Sequence, residues 1–334
     1  MRDIAILIIS LGIIFISAGL FTNGVEWLGK KMNLSEGAVG SVLAAVGTAL
    51  PETIIPLIAI LFGVGDAAHE IGIGAILGAP FMLGTLAIFL SGGAVLMFRN
   101  RRADNYPRIE PDPHVLRRDM AFFLIVYTIA ITASFVGHVL KLVIILGLIA
   151  AYICYVYKTF TSGANMGASS EIEPLLFARA HGDPPLFRVL SQVVLAFIGI
   201  VVGAKFFVDG IAHLSASLGA SPLVIALLIA PVATELPEKI NSVIWLSHRK
   251  DTLALGNITG AMVFQSSVIP AVGIALTPWR LDPVALLSAM LALLSALVIY
   301  LLIRYRGFLD SRVIVFTGGA FYGGYVLAIL FGLV

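Results

Sequence analysis

The chain has 334 residues, 59% of them hydrophobic and 12% charged, with a mean hydropathy of +1.03. A soluble domain of this size carries about 25% charged residues, so the charge here covers only part of a surface and lipid has to cover the rest. That composition excludes a secreted enzyme, a nucleic-acid binder and a soluble binding module, and a net charge of +2 is too small to imply an anionic partner. The single cysteine, Cys154, lies in an apolar run and can form no disulfide within the chain.

A helix crossing a bilayer needs about 20 mostly apolar residues. Ten runs qualify in chain order: 4–21, 37–62, 71–98, 119–136, 139–157, 189–208, 221–246, 252–277, 283–303 and 312–333. They are continuously apolar and not alternating, which rules out a transmembrane β-barrel. The first run has Arg2 beside Asp3 and no strong basic start, so it reads as a retained helix and not a cleaved leader. Lysines and arginines fall on one side of this plan: Lys30 and Lys31, six arginines from Arg99 to Arg118, then Lys158, Arg179, Arg188, Arg249, Lys250, Arg304, Arg306 and Arg312. Only Arg2, Lys141 and Arg280 fall on the other. Basic loops face the cytoplasm, which places both termini outside a plasma or inner membrane.

Two segments interrupt the apolar pattern. Residues 99–118 form a basic, proline-containing cytoplasmic loop, and residues 159–188 read as a cytoplasmic linker between halves 1–158 and 189–334. Neither carries GxxxxGK[ST], HExxH or a cysteine cluster. The absence of a nucleotide pattern argues against ATP-driven transport within this chain. An intramembrane enzyme would need a nucleophile–base pair or a metal triad, and no GxSxG serine with a histidine at membrane depth is present, so the chain is not read as an enzyme.

The halves match at one place. Residues 46–53 read VGTALPET and residues 232–239 read VATELPEK, each in the second run of its half. Each is followed by a glycine-bearing run, in which Gly74 pairs with Gly256 and Gly78 with Gly260. Five helices per half is an odd number, so the second half enters from the opposite face. The expected fold is therefore an all-α membrane protein of ten transmembrane helices, arranged as two inverted-topology five-helix repeats. Secondary transporters built this way bind their cargo near the midplane.

Proline in a helix removes an N–H and releases the carbonyl four residues back, that of Gly47 for Pro51 and that of Ala233 for Pro237. Unpaired carbonyls survive in a bilayer only inside protein or beside a polar cavity. Thr48 and Glu52 are four apart, as are Thr234 and Glu238, so each pair shares a helix face. Two carboxylates and two hydroxyls facing each other across a pseudo-twofold balance a divalent ion and suit the oxygen coordination of Ca²⁺. Proline kinks and threonines bonded to their own helix are also common structural devices. A glutamate at the centre of a span is not, since insertion of a charged residue there costs about 2.5–3.5 kcal/mol.

Glu235 precedes Lys239 by four residues, the order that favours a helical ion pair. Two readings stay open there: Lys239 simply neutralises Glu235, or Glu235 takes part in cation binding. Lys205 and Asp209 share the same spacing and read as a structural pair. Trp27, Trp245 and Trp279 stand at span ends, where an aromatic belt would lie.

GTALPE, ATELPE and the glycine-patterned runs after them resemble the two α-repeats of the cation/Ca²⁺ antiporter superfamily, which includes the Na⁺/Ca²⁺ exchangers. The resemblance covers the ten-helix plan and reaches motif level in the second, third, seventh and eighth runs. It implies alternating access between Ca²⁺ and a counter-ion, with Thr48, Glu52, Thr234 and Glu238 as the Ca²⁺ ligands. No permanently bound cofactor is implied, and the only partners are the bilayer and inorganic cations. Departures fall where the superfamily places small hydroxyl or polar residues: Ala49 and Glu235 in the motifs, Ala79, Pro80 and Leu83 in the third run, and Ala261, Met262 and Gln265 in the eighth. Glu235 and Gln265 are then the residues that tune cation selectivity. The apolar replacements weaken a multi-site Na⁺ mechanism, and protons need no coordination shell, so H⁺ is favoured over Na⁺ as counter-ion. An alternative is a divergent member moving another cation, with Lys239 as an internal positive charge in place of a bound ion. An uncoupled channel is less compatible with inverted repeats.

Overall fold

The computed structural model describes residues 2–32, 49–63, 65–161, 174–177 and 184–332, without the side chains of residues 2, 160–161 and 236–238. Almost everything described is helical. The helices are α1 (Arg2–Lys31), α2 (Leu50–Phe62), α3 (Asp66–Met82), α4 (Ile88–Met97), α5 (Pro113–Thr132) and α6 (His138–Thr161), followed by α7 (Leu186–Leu218), α8 (Pro222–Ser247), α9 (Asp251–Leu276), α10 (Pro283–Arg306) and α11 (Ser311–Leu330). A π turn, Leu83–Ala87, joins α3 to α4. Two short strands, β1 (Arg108–Ile109) and β2 (Leu309–Asp310), pair antiparallel with Arg108 opposite Asp310.

Among the described residues, eight helical stretches are long and apolar enough to cross a membrane. They coincide with eight of the ten expected runs. The other two runs contain shorter apolar helices, Leu50–Phe62 and the Pro222–Glu235 part of α8. The expected run 4–21 extends to Lys31, so Lys30 and Lys31 close a helix instead of standing in a loop. Lysines in a last turn suit the helix dipole, and burial of Val25 and Trp27 holds that turn in place.

The chain divides into two compact units, residues 1–72 with 157–222 and residues 73–156 with 223–334. In the first unit α1 lies along α7, and α2 also packs on α7. Gly199, Gly203 and Gly210 of α7 sit directly beneath Ser17, Ile14 and Leu7 of α1, leaving no room for a Cβ. Small residues at such seams let membrane helices approach closely. A polar network fastens the same pair: the Gln192 amide donates to the Leu20 carbonyl (2.8 Å) and to Asn23 Oδ1 (2.9 Å), and Gln192 Oε1 accepts from the Phe177 N–H (2.9 Å). Leu175 packs against Trp27 and Val189, which puts Trp27 in a core and not in an interfacial belt.

In the second unit α5 packs against α9 and α10, and α4 against α11. The buried face of α10 is a stripe of small residues, Ala285, Ser288, Ala289, Ala292, Ser295 and Ala296. By contrast α6 exposes Leu142, Val143, Leu146, Ile149 and Ile153, an apolar face that acyl chains would cover. Trp279 is completely buried and its indole donates to the Ala130 carbonyl at 3.0 Å, so it too is a core residue and not part of a belt.

Residues 99–112, within the expected basic loop, form a clasp. Arg102 is fully buried and makes a two-pronged pair with Asp251 at the start of α9 (2.7 and 2.8 Å). The same guanidinium donates to the Leu246 and Arg108 carbonyls, and Asp251 also accepts the Glu110 N–H. The clasp thereby fixes the turn between α8 and α9. Further along, Gly74 and Gly78 of α3 face the carbonyls of Leu223 and Leu227 on α8. Pro231 has no N–H for the Leu227 carbonyl, and Gly78 brings its backbone against that same oxygen.

Gly78→Ala would drive a methyl into the Leu227 carbonyl and the Pro231 ring, which backbone cannot yield cheaply. Overpacking of this kind costs about 1–3 kcal/mol. The expected result is a lower unfolding temperature in detergent, whereas Gly147→Ala, with nothing within 4 Å of its Cβ, leaves it unchanged or raised.

Candidate cation site

The first motif reaches the structure at α2. Thr48 lies outside the described residues. Glu52 is buried, 7% exposed, in a helix otherwise built of apolar and proline residues and Thr53. The Thr53 hydroxyl and N–H both bond the Ala49 carbonyl, at 2.7 and 3.2 Å. Pro51 stands in the first described turn, and the proline in the helix interior is Pro56, which has no N–H to offer the Glu52 carbonyl. The Gly47 carbonyl that Pro51 was expected to release lies outside the described residues.

The second motif lies on α8. The half-buried Thr234 hydroxyl donates to the Ala230 carbonyl at 3.1 Å, and a hydroxyl that donates inward keeps lone pairs for another donor or a cation. Glu235 and Lys239 are both buried and form an ion pair, Oε2 to Nζ, at 3.1 Å. From α9 the buried Gln265 amide donates to the other oxygen, Oε1, at 3.2 Å. The structure therefore brings Glu235, Lys239 and Gln265 together, with the helical ion pair formed. The Glu238 side chain lies outside the described residues. One turn beyond it, buried Ser242 accepts from Asn257 Nδ2 at 3.1 Å, which ties the second turn of α9 to α8. The Lys205–Asp209 pair forms at 2.8 Å on a half-exposed face of α7.

Asp119 is a buried carboxylate that sequence reasoning passed over. It is fully buried in α5 and accepts from four donors: Arg118 Nε and Nη2 (3.1 and 3.0 Å) and the Tyr155 hydroxyl (2.9 Å) on Oδ1, and the Thr259 hydroxyl (2.8 Å) on Oδ2. In the sequence it stands at the edge of an apolar run behind Arg117 and Arg118, where a charge reads as a solvated flank. Only the packing of α6 and α9 around it encloses it.

The chain matches the family described as sodium/calcium exchanger protein over residues 3–161 and 189–334. It is 24% identical over 306 residues to the inner membrane protein YrbG of Escherichia coli, covering 90% of this chain and 88% of that one. Its fold is similar to the crystal structure of the H⁺/Ca²⁺ exchanger CAX, with a TM-score of 0.73 at 16% identity, over 98% of this chain and 82% of that one. It is also similar to the sodium-calcium exchanger NCX_Mj soaked with Na⁺ and Sr²⁺, with a TM-score of 0.57 at 21% identity, over 98% and 97% of the two chains.

Asp119→Ala removes the acceptor shared by α5, α6 and α9. Hydrogen bonds to a charged group contribute about 1.5–3 kcal/mol, so thermal unfolding in detergent is expected to drop by several degrees. Thr259→Val, which removes one donor and leaves the carboxylate its others, is expected to cost less than half as much.

Proposed function

Because the chain belongs to the sodium/calcium exchanger family, whose members are transporters and not enzymes, we propose that it is a secondary antiporter exchanging Ca²⁺ against H⁺ or Na⁺ by alternating access. The observation that carries this reading is Glu52, a carboxylate buried in an apolar helix at a position repeated as Glu238 in the second half. Ionisable residues at membrane depth are costly and mark ion paths by default. Each half supplies one carboxylate and one hydroxyl to the cargo: Thr48 and Glu52 from the first motif, Thr234 and Glu238 from the second. Two carboxylates balance one divalent ion, and oxygen donors suit Ca²⁺.

Glu235 and Gln265 tune its cation selectivity. The sequence departures that remove polar side chains from the third and eighth runs favour H⁺ as counter-ion, and the CAX likeness is to a protein named as an H⁺/Ca²⁺ exchanger. Eight spans with α2 and α8 make ten crossings, organised as halves 1–158 and 189–334 joined by the linker 159–188. The lysine and arginine distribution puts both termini outside the cytoplasm, and the E. coli relative is named for the inner membrane. No resident cofactor takes part, since the ion is cargo.

Proteoliposomes holding the purified protein should take up ⁴⁵Ca²⁺ when an outward H⁺ or Na⁺ gradient is imposed. Glu52→Gln is expected to abolish that uptake while the protein still purifies as a single species. Absence of uptake by the wild type under both gradients would remove Ca²⁺ as the cargo. A periplasmic-type reporter such as alkaline phosphatase fused after Val334 is expected to be active, and a cytoplasmic-type reporter there silent.

A further inference from the structure

We propose that the β1–β2 ribbon binds the headgroup of an anionic phospholipid, with Arg108 and Arg312 as its phosphate-binding side chains. The site lies wholly within the second unit and does not depend on which ion the protein carries. The ribbon pairing, the Arg102–Asp251 pair and the bond from Arg102 to the Leu246 carbonyl bring six helix ends together. These are the last turns of α4, α8 and α10 and the first turns of α5, α9 and α11. Residues 99–119, 249–251 and 304–312, which make up that end of the unit, carry ten arginines, one lysine and six acids.

The acids are nearly all engaged within the protein. Asp251, Asp119 and Asp104 pair with Arg102, Arg118 and Arg249. Asp112 and Asp310 accept the backbone N–H groups of His114 and Arg312, and so cap α5 and α11. Among the described residues this leaves Glu110 against eight exposed cations that have no carboxylate partner. Two of the eight are held by aromatic rings. Arg108 lies over the Phe308 ring, 4.6 Å from its centroid, and Arg312 lies over Tyr106 at 5.7 Å. Side chains alternate across a strand, and Ile109 and Leu309, next in line, are fully buried on the other face. A guanidinium resting on a ring keeps its planar fork of N–H donors, which matches the oxygens of a phosphate.

Position selects the source of that phosphate. Strand β2 lies between the end of α10 and the start of α11, both long and apolar enough to cross a membrane. Side chains at span ends stand at headgroup level, and basic clusters there attract anionic lipids. Tyr305 and Met97, at the same end, are 78% and 70% exposed. A bilayer interface covers such apolar surface and a soluble anion does not.

Four proteins in detergent micelles test the site: the wild type, Arg108→Gln with Arg312→Gln, Arg108→Lys with Arg312→Lys, and Arg280→Gln, which lies toward the opposite end of α10. Unfolding temperature is measured with added dioleoyl-phosphatidylglycerol and with the same amount of dioleoyl-phosphatidylcholine. The anionic lipid should raise the wild type by several degrees more than the zwitterionic one. The glutamine pair should lose more than half of that difference, the lysine pair should fall below the wild type, and Arg280→Gln should keep all of it. No difference in the wild type would overturn the proposal, as would an equal loss in Arg280→Gln and the glutamine pair. A lysine pair that matches the wild type would reduce the site to surface charge. An equal shift from inorganic phosphate at the same concentration would replace the lipid by a free anion. If the paired variants do not fold, spin-labelled lipids decide on the wild type in bilayers: the motionally restricted fraction should be larger for phosphatidylglycerol than for phosphatidylcholine, with the excess removed by high salt. Equal fractions would overturn the proposal.

Discussion

An ionised side chain enclosed away from water has to be met by the protein, because nothing else is present to solvate it. Much of this architecture follows from that requirement. Glu235 is met by Lys239 and Gln265, Asp119 by Arg118 and two hydroxyls, and Arg102 by Asp251 and two carbonyls. None of these arrangements is confined to one helix: the first joins α8 to α9, the second joins α5, α6 and α9, and the third joins the 99–112 clasp to the α8–α9 turn. Helix α9 takes part in all three, and this explains why it is among the most enclosed helices of its unit despite an even spread of polar residues around its axis.

Backbone polar groups obey the same rule. Where Pro231 leaves the Leu227 carbonyl without a helical donor, Gly78 brings the backbone of α3 against that oxygen, a setting in which Cα–H groups make weak contacts to carbonyls. The π turn Leu83–Ala87 is handled similarly: the Ser295 hydroxyl of α10 donates to the Gly84 carbonyl and the Thr85 hydroxyl to that of Phe81. Glycine in these helices is thus a means of reaching the neighbour's backbone. In the first unit it serves plain close packing of α1 on α7.

The two copies of the motif are used unequally. In the first, the residue after the threonine is Ala49 and the buried glutamate is Glu52. In the second, that residue is Glu235, which the protein neutralises with its own lysine. Gly78 is pressed against α8, whereas its repeat partner Gly260 has nothing within 4 Å among the described residues. The repeated motif of the sequence therefore sits in two different local environments.

Hydropathy alone determined that the chain is a multi-pass membrane protein, because about 20 apolar residues in a row have few other uses and each span shows its length directly in the sequence. The repeated Thr-x-Leu-Pro-Glu motifs made Glu52, Thr234, Glu235 and Glu238 legible as candidates, since a charge at the middle of a span stands out against its neighbours. Fixed i,i+4 geometry made the Glu235–Lys239 and Lys205–Asp209 pairs legible as well. Partners far apart in the chain were not: Arg102 and Asp119 lie at the ends of apolar runs, where charge is expected to meet water. The packing of helices distant in sequence buried them, and likewise took Trp27 and Trp279 from the expected interface into cores. Local spacing fixes what a helix can pair with on its own surface, while burial is a property of all the helices that close around it, so only the tertiary structure decided which charges lost their water.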